Sequence, residues 1–408
     1  MFCEPYQSCS LFGALRIVAN LDNVVSIIHG PTGCSFYARN SIIRMNGYYS
    51  ARERIRVPLI YSTDFNENDT IFGGVRKLTG AVEEVIALHH PDAVFIFNSC
   101  VSEIIGEDIN SVAEEMWGKH AIPVIPVHTA GFKGDHKVGM KMGNEILFEH
   151  FIRPSSAAKD PDRINILGDY DYFNRSSHEL NRILSLMPGK KIVHIPGCSS
   201  VRELGEAAGA ALNVITCKNA SRHLAMLMMD TFGVPFVGAD ASMYGIENCY
   251  QLYCQIFRFF GADTEELTRQ YQQAKEDLAQ YLPRLQGKRA VVIAGTRRAL
   301  GYSSLLTELG IRVEFIFTES SDESTRGDLT KYSRNIMCDD YPVMLFRRID
   351  EMDPDFVFST LPEIVAPNKY VSRNDEDYTG FAGALKLADY LVHVRKDPET
   401  TAYIRMEN

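Results

Sequence analysis

The stretch that decides the fold is VVSIIHGPTGCS, residues 24–35. Val24 to Ile28 is a short apolar run of the strand type, rich in β-branched side chains. It runs into Gly30, Pro31, Thr32 and Gly33, which no helix or strand interior tolerates. Cys34 follows at once, and residues from Ser35 to Arg39 suit the start of a helix. The stretch thus delivers a cysteine at the carboxyl end of a strand, against the amino end of a helix. The free N–H groups and partial positive charge there favour thiolate over thiol. Such a thiolate serves as a nucleophile, a redox thiol or a metal ligand, and the stretch alone leaves all three open.

Working outward, Cys9 lies upstream, and Cys100 closes VFIFNSC, residues 94–100. That segment is again a buried-type strand running into a cysteine, with a helix opening near Ile105 to Ile109. Parallel neighbouring strands would bring Cys34 and Cys100 out on one sheet edge, where α/β folds bind ligands. No Cys-x-x-Cys pair is present. The plain alternative for each is a small buried hydrophobe.

Four motifs occur in order: HGPTGC (29–34); STDFNEND (62–69) with Phe72, Gly73 and Gly74; NSC (98–100) with IGED (105–108); and AGFKG (130–134). Together they resemble the alpha-type subunits of the nitrogenase component 1 superfamily, namely the catalytic alpha chain and the E subunit of the cofactor-assembly scaffold. The resemblance covers nearly the whole chain. It implies that Cys9, Cys34 and Cys100 ligate an iron–sulfur cluster, of 4Fe–4S or 8Fe–7S type, at the interface with a homologous beta-type subunit. It also implies an α2β2 assembly and a separate ATP-dependent iron protein.

The chain of 408 residues is too long for one ordinary domain. With 45% hydrophobic and 23% charged residues it reads as a globular protein. No apolar run reaches the length of a membrane span, and the N-terminus lacks a signal pattern. Nine cysteines without a compact disulfide framework fit a reducing cytoplasm. A net charge of −10 with no basic stripe argues against nucleic-acid binding.

Strand-like and helix-like segments alternate along the chain, which predicts an α/β fold with mostly parallel sheets. Three Rossmann-like domains around a metallocluster cavity are expected, over residues 1–160, 161–285 and 286–408. Residues 153–161 read as the first linker.

Cys217 repeats the geometry of Cys34, after the strand run from Asn213 and before a helix. By the resemblance it ligates a large carbide-type iron–sulfur cofactor or its precursor, while His223 packs or hydrogen-bonds. Gly295 to Gly301 is a glycine turn after a strand, but neither a Gly-x-Gly-x-x-Gly nor a Walker A sequence. Arg297 and Arg298 there are expected to donate to an anionic cluster or carboxylate ligand. His136 and Lys137 follow a strand end, either reaching the cofactor cavity as catalytic residues or facing solvent. Cys3, Cys198, Cys249, Cys254 and Cys338 read as structural.

Residues 370–383 hold no histidine, where the catalytic alpha chain supplies its second cofactor ligand. The segment after AGFKG follows the E-type pattern, and the short termini resemble compact nitrogenase-like reductases. The preferred expectation is a nitrogenase-like oxidoreductase acting on a small molecule, a methylthio-alkane reductase that cleaves a carbon–sulfur bond. The alternative is the E-type scaffold for iron–molybdenum cofactor biosynthesis.

Overall fold

The computed structural model describes residues 8–47, 58–169, 177–239, 241–318, 323–338, 349, 351–359, 370–372 and 378–393. Cys3 and part of the 370–383 loop lie outside them. The chain forms two compact units, Ser8–Asn174 with Lys191–Phe236, and Arg175–Lys190 with Val237 onward.

The first unit opens with helix α1 (Ser10–Val18), strand β1 (Val24–His29) and helix α2 (Thr32–Gly47). Next come β2 (Leu59–Ser62), α3 (Glu67–Phe72), α4 (Val75–His89), β3 (Ala93–Asn98), α5 (Cys100–Ile104) and α6 (Ile109–His120). Then β4 (Val124–Val127) leads through a short 3-10 turn to α7 (His136–Leu147). The order β2-β1-β3-β4 is parallel throughout. Every residue of β1 and β3 is buried, as a parallel sheet covered on both faces requires. The pleat divides their side chains between two cores. Ile28, Phe95 and Phe97 join one core, whereas Val25, Ile27, Val94 and Ile96 join the other.

A second sheet, in the order β6-β5-β7-β8 and parallel across β6, β5 and β7, is built from β5 (Asp160–Asp169), β6 (Lys191–Pro196), β7 (Ala210–Ile215) and β8 (Phe236–Val237). Helix α8 (His178–Leu184) belongs to the other unit; α9 (Val201–Glu206) and α10 (Lys218–Phe232) belong to this one. The expected linker is shorter than 153–161, because β5 takes in its last two residues. Asp160 pairs with Ala210 and binds the Lys191 ammonium at 2.8 Å, and Pro161 sits at the strand start before a register shift.

Leu167, Ile195 and Ile215 of this sheet share one core with β1, β3, α1 and α7. Each such side chain, fully buried, contributes about 1.5–3 kcal/mol. Helix α7 is the spine of that core. A Cβ on Gly139 would overlap the carbonyl of Ser10, and one on Gly13 the carbonyl of His136, so only glycine lets α1 and α7 approach so closely. On its other side, the Asn144 amide of α7 donates to the carbonyl of Ala220 in α10.

In the second unit, α11 (Ile246–Phe259), α12 (Glu265–Ala279) and α13 (Leu282–Leu285) precede a third parallel sheet. Its order is β11-β10-β9-β12-β13, from β9 (Arg289–Ile293), β10 (Arg312–Thr318), β11 (Ile336–Cys338), β12 (Phe356–Ser359) and β13 (Tyr370–Ser372). Helices α14 (Thr296–Glu308), α15 (Glu323–Leu329) and α16 (Gly380–His393) complete it. Glu308 caps α11 by accepting the N–H of Ile246 at 2.8 Å and of Glu247 at 3.2 Å, and burial pushes its carboxyl up.

Candidate metal centre

Strands β1 and β3 are parallel and in register from Val24 opposite Ala93 to His29 opposite Asn98. The loops that leave them therefore emerge on one edge, carrying Cys34 and Cys100. Cys34 lies within the first turn of α2, which begins at Thr32, earlier than the expected Ser35. Cys100 is the first residue of α5, a short helix that was not expected; Ser99 and Ser102 form its capping box. Cys9 precedes α1 and bridges the backbone of Asp135, while the Ser10 N–H donates to the Gly134 carbonyl at 2.9 Å. The third thiol is thus held against the loop that follows β4.

That loop brings the sulfurs together. The Gly131 N–H donates to Cys100 Sγ at 3.1 Å. A Cβ on Gly131 would lie 3.2 Å from Cys100 Sγ and 3.4 Å from Cys9 Sγ, so a side chain there would fill the space between the thiols. Cys9 and Cys34 are half-buried and Cys100 is exposed. Burial pushes the Cys34 thiol up, and Cys100 and Cys9 add to this as like charges. Burial and these neighbouring thiols work against the thiolate expected at Cys34.

Among the described residues no three of His, Cys, Asp and Glu close upon a single ion. Separated thiols bordering a glycine cradle fit an iron–sulfur cluster instead, in which different irons take different thiolates. A positive metal centre also removes the cost of deprotonating them.

Beside Cys100, Glu103 accepts from the Asn98 amide at 2.8 Å, from His128 Nδ1 at 3.1 Å and from Lys133. Partial burial alone would raise its carboxyl. The bonds from Lys133, Asn98 and His128 outweigh burial and bring its pKa to about 2. This ionised carboxylate pins the Cys100 helix to the Gly131 loop.

Cys217 is the N-cap of α10, directly after β7, as its sequence context indicates. Gly168, at φ +95°, makes room for it: a Cβ there would come within 3.1 Å of the Cys217 nitrogen. Six residues on, His223 Nε2 meets Glu145 of α7 at 2.9 Å. His136 and Lys137 form the first turn of α7, whose N-cap Asp135 accepts the Lys137 N–H at 3.0 Å. His136 is half-buried and lines a small cleft between α1, α2 and α7, with Phe12, Arg16 and Ser41. In the other unit, Arg297 and Arg298 stand half-buried in the first turn of α14, after β9. Cys249 and Cys254 are buried, while Cys198 and Cys338 are half-buried.

Sequence reasoning missed His29, Glu107, Arg16 and Gly131. His29 and Gly131 stand inside the recognised motifs, and that proximity was their signal. Glu107 too lies inside a recognised motif, IGED, but only the fold shows that it meets His29, and only the fold brings Arg16 beside His136.

Fold and thiols together define a parallel α/β protein that presents cysteines from separate loops at one sheet edge. The model of the nitrogenase component 1 type oxidoreductase family matches residues 9–395, and the chain belongs to that family. It is 28% identical to the nitrogenase iron-molybdenum cofactor biosynthesis protein NifE of Rippkaea orientalis, over 94% of this chain and 84% of that one. The NifE of Clostridium pasteurianum is 27% identical over 94% of this chain and 86% of its own. The nitrogenase molybdenum-iron protein alpha chain of Methanosarcina barkeri is 30% identical over 75% of this chain and 59% of its own. The solved structure of nitrogenase Cp1 at pH 5 superposes with a TM-score of 0.80 at 22% identity, over 95% of this chain and 88% of that one, which shows the shared fold.

Proposed function

We propose that this chain is the alpha-type subunit of an assembly scaffold for a nitrogenase-type iron–sulfur cofactor. The observation that carries the cluster site in this reading is the set of Cys9, Cys34 and Cys100 at one sheet edge, with Cys9 and Cys100 bordering Gly131; the choice of scaffold rests on the relatives. Three thiolates leave an iron–sulfur cluster incompletely held by one chain. Exposed apolar side chains flank the same loops: Phe36 and Tyr37 beyond Cys34, Ile104 at the end of α5, and Phe132. Apolar surface beside an incomplete ligand set supports a protein partner there, a homologous beta-type subunit in an α2β2 assembly.

The cluster supplies one-electron redox chemistry when bound. The chain supplies thiolates, and the Gly131 N–H bond to Cys100 Sγ withdraws charge from that sulfur. Cys217 is the thiolate for the larger cofactor or precursor; Arg297 and Arg298, in the other unit, keep the role of donors to an anionic ligand. His136 and Lys137 are assigned to the wall of its cavity. Electrons come from a separate ATP-dependent iron protein, in the cytoplasm. We retain with this reading the three-domain division at 160/161 and 285/286.

The relatives named for cofactor biosynthesis support the scaffold over the methylthio-alkane reductase, which draws no support from them. The absence of histidine from residues 370–383 argues against a catalytic alpha chain of the molybdenum type and does not choose between these two readings. The deciding experiment loads the chain anaerobically with its beta-type partner and iron protein. The loaded complex is then mixed with a cofactor-free nitrogenase and, separately, with dimethyl sulfide and ATP. Activation of the acceptor without turnover of the sulfide is expected; steady sulfide reduction would overturn the reading.

A further inference from the structure

The motif that ends in Cys34 opens with a histidine to which no role has yet been given. The His29 side chain is fully buried, and Glu107 beside it is 4% exposed. His29 Nε2 meets Glu107 Oε2 at 3.0 Å, and Nδ1 meets Thr63 Oγ1 at 3.0 Å. A neutral imidazole protonated at Nε2 satisfies both partners, donating to the carboxylate and accepting from the hydroxyl. Burial favours that neutral form, against the opposing pull of Glu107. The second oxygen of Glu107 accepts the Gly74 N–H at 2.8 Å.

The backbone of His29 is engaged as well. Its carbonyl accepts the Ser99 N–H at 3.2 Å and the Ser102 hydroxyl at 2.6 Å, the two residues that cap the helix of Cys100. The packing leaves no slack. A Cβ on Gly74 would fall 2.5 Å from the Phe65 ring and 3.0 Å from His29 Cε1, and one on Gly30 would overlap Ser99. One buried pair thus joins the Cys34 loop, the Cys100 helix, the end of β2 and the start of α4.

We propose that His29 and Glu107 are the positioning pair of the thiolate site, holding Cys34 and Cys100 in place without touching a cluster themselves. This rests on the cluster reading given above. Stability alone does not account for the pair, because replacing both partners of a buried hydrogen bond by apolar groups of the same shape is commonly neutral or stabilising. Its bonds run instead to the loops that carry ligands, as the outer partners of metal ligands do.

The test compares the complete assembly carrying the natural chain, Glu107→Ala and Glu107→Gln. Glutamine keeps an acceptor for Gly74, and its amide bonds a His29 of the other tautomer. Iron release to a chelator is followed with the EPR spectrum of the reduced cluster. In the metal-free chain, dibromobimane bridging among Cys9, Cys34 and Cys100 is mapped by mass spectrometry. Glu107→Ala should release iron about tenfold faster or more, change the EPR line shape and lower the bridging yield. Glu107→Gln should restore all three. A folded Glu107→Ala assembly with unchanged iron release and bridging would overturn the proposal. If that variant does not fold, Thr63→Val, close in shape, removes the hydroxyl bond to His29. Several-fold faster iron release is then expected, and no change overturns the proposal. A natural chain that binds no iron would sink the cluster reading, while bridging in the metal-free chain would still decide the role of the pair.

Discussion

Glu103 is the carboxylate most sensitive to acid beside the thiols. Partial burial works against its charge, but Lys133, Asn98 and His128 hold its pKa at about 2, against an ordinary value of 4.5. A carboxyl depressed by folding contributes stability above its unfolded pKa and loses it as pH falls through the folded one. The contribution is therefore complete above about pH 5 and fades between about pH 4.5 and 2. Glu103→Gln should lower the urea midpoint at pH 7, and its difference from the natural chain should shrink as pH approaches 2.5. A difference that does not vary with pH would show that the ion pairs are immaterial. At Cys217 the expectation is separation of roles. The residue is half-buried at a helix start, where alanine is well tolerated, so Cys217→Ala should cost about 1 kcal/mol. The variant should keep the Cys9–Cys34–Cys100 cluster and its partner yet lose the larger cofactor, as read by iron analysis and anaerobic EPR. Full iron in the variant would make Cys217 a packing residue.

Among the elements, the contact of α1 with α7 is the one that leaves least room. Gly139 meets the backbone of Ser10, which cannot move without displacing Cys9 beside it. Gly139→Ala should destabilise the chain by about 2–3 kcal/mol or more through overpacking. Gly80 is the control. It is exposed in α4 with nothing within 4 Å of a Cβ, so Gly80→Ala should stabilise by about 0.5–1 kcal/mol. Urea midpoints of the two variants that move in the same direction would refute the assignment. Elements of this kind differ in how far a sequence announces them. The runs of β1 and β3 were legible because both faces are buried and almost wholly apolar, Ser26 and the last residues His29 and Asn98 apart. Helix α5 was not, since five residues give too little periodicity, and its capping pair of serines is common in loops.

For the molecule as a whole, the proposed reading has a partner subunit complete the ligand set. Produced alone, the chain should retain little iron; produced with a beta-type partner it should retain a full cluster in a larger assembly. Iron-to-protein ratio and mass by light scattering check this, and full iron in a monomer would contradict it. No Walker A sequence is present, so the purified chain should show no ATPase activity without an iron protein. Among the described residues no helix is long and apolar enough to cross a membrane.

The sequence by itself determined the class of fold and the identity of the thiols. Periodicity and glycine turns are local, and Cys9, Cys34, Cys100 and Cys217 each sit in a local pattern that says how it is presented. Only the tertiary structure decided what surrounds them. Gly131 reaches Cys100 across 31 residues, and Glu107 reaches His29 across 78. Such partners are fixed by which strands lie side by side and by how closely the glycines let α1 approach α7. No window of sequence contains those distances. Burial is likewise a property of the packed chain: the helix start at Cys34 is legible in the sequence, whereas the burial and neighbouring thiols that push its thiol up are not.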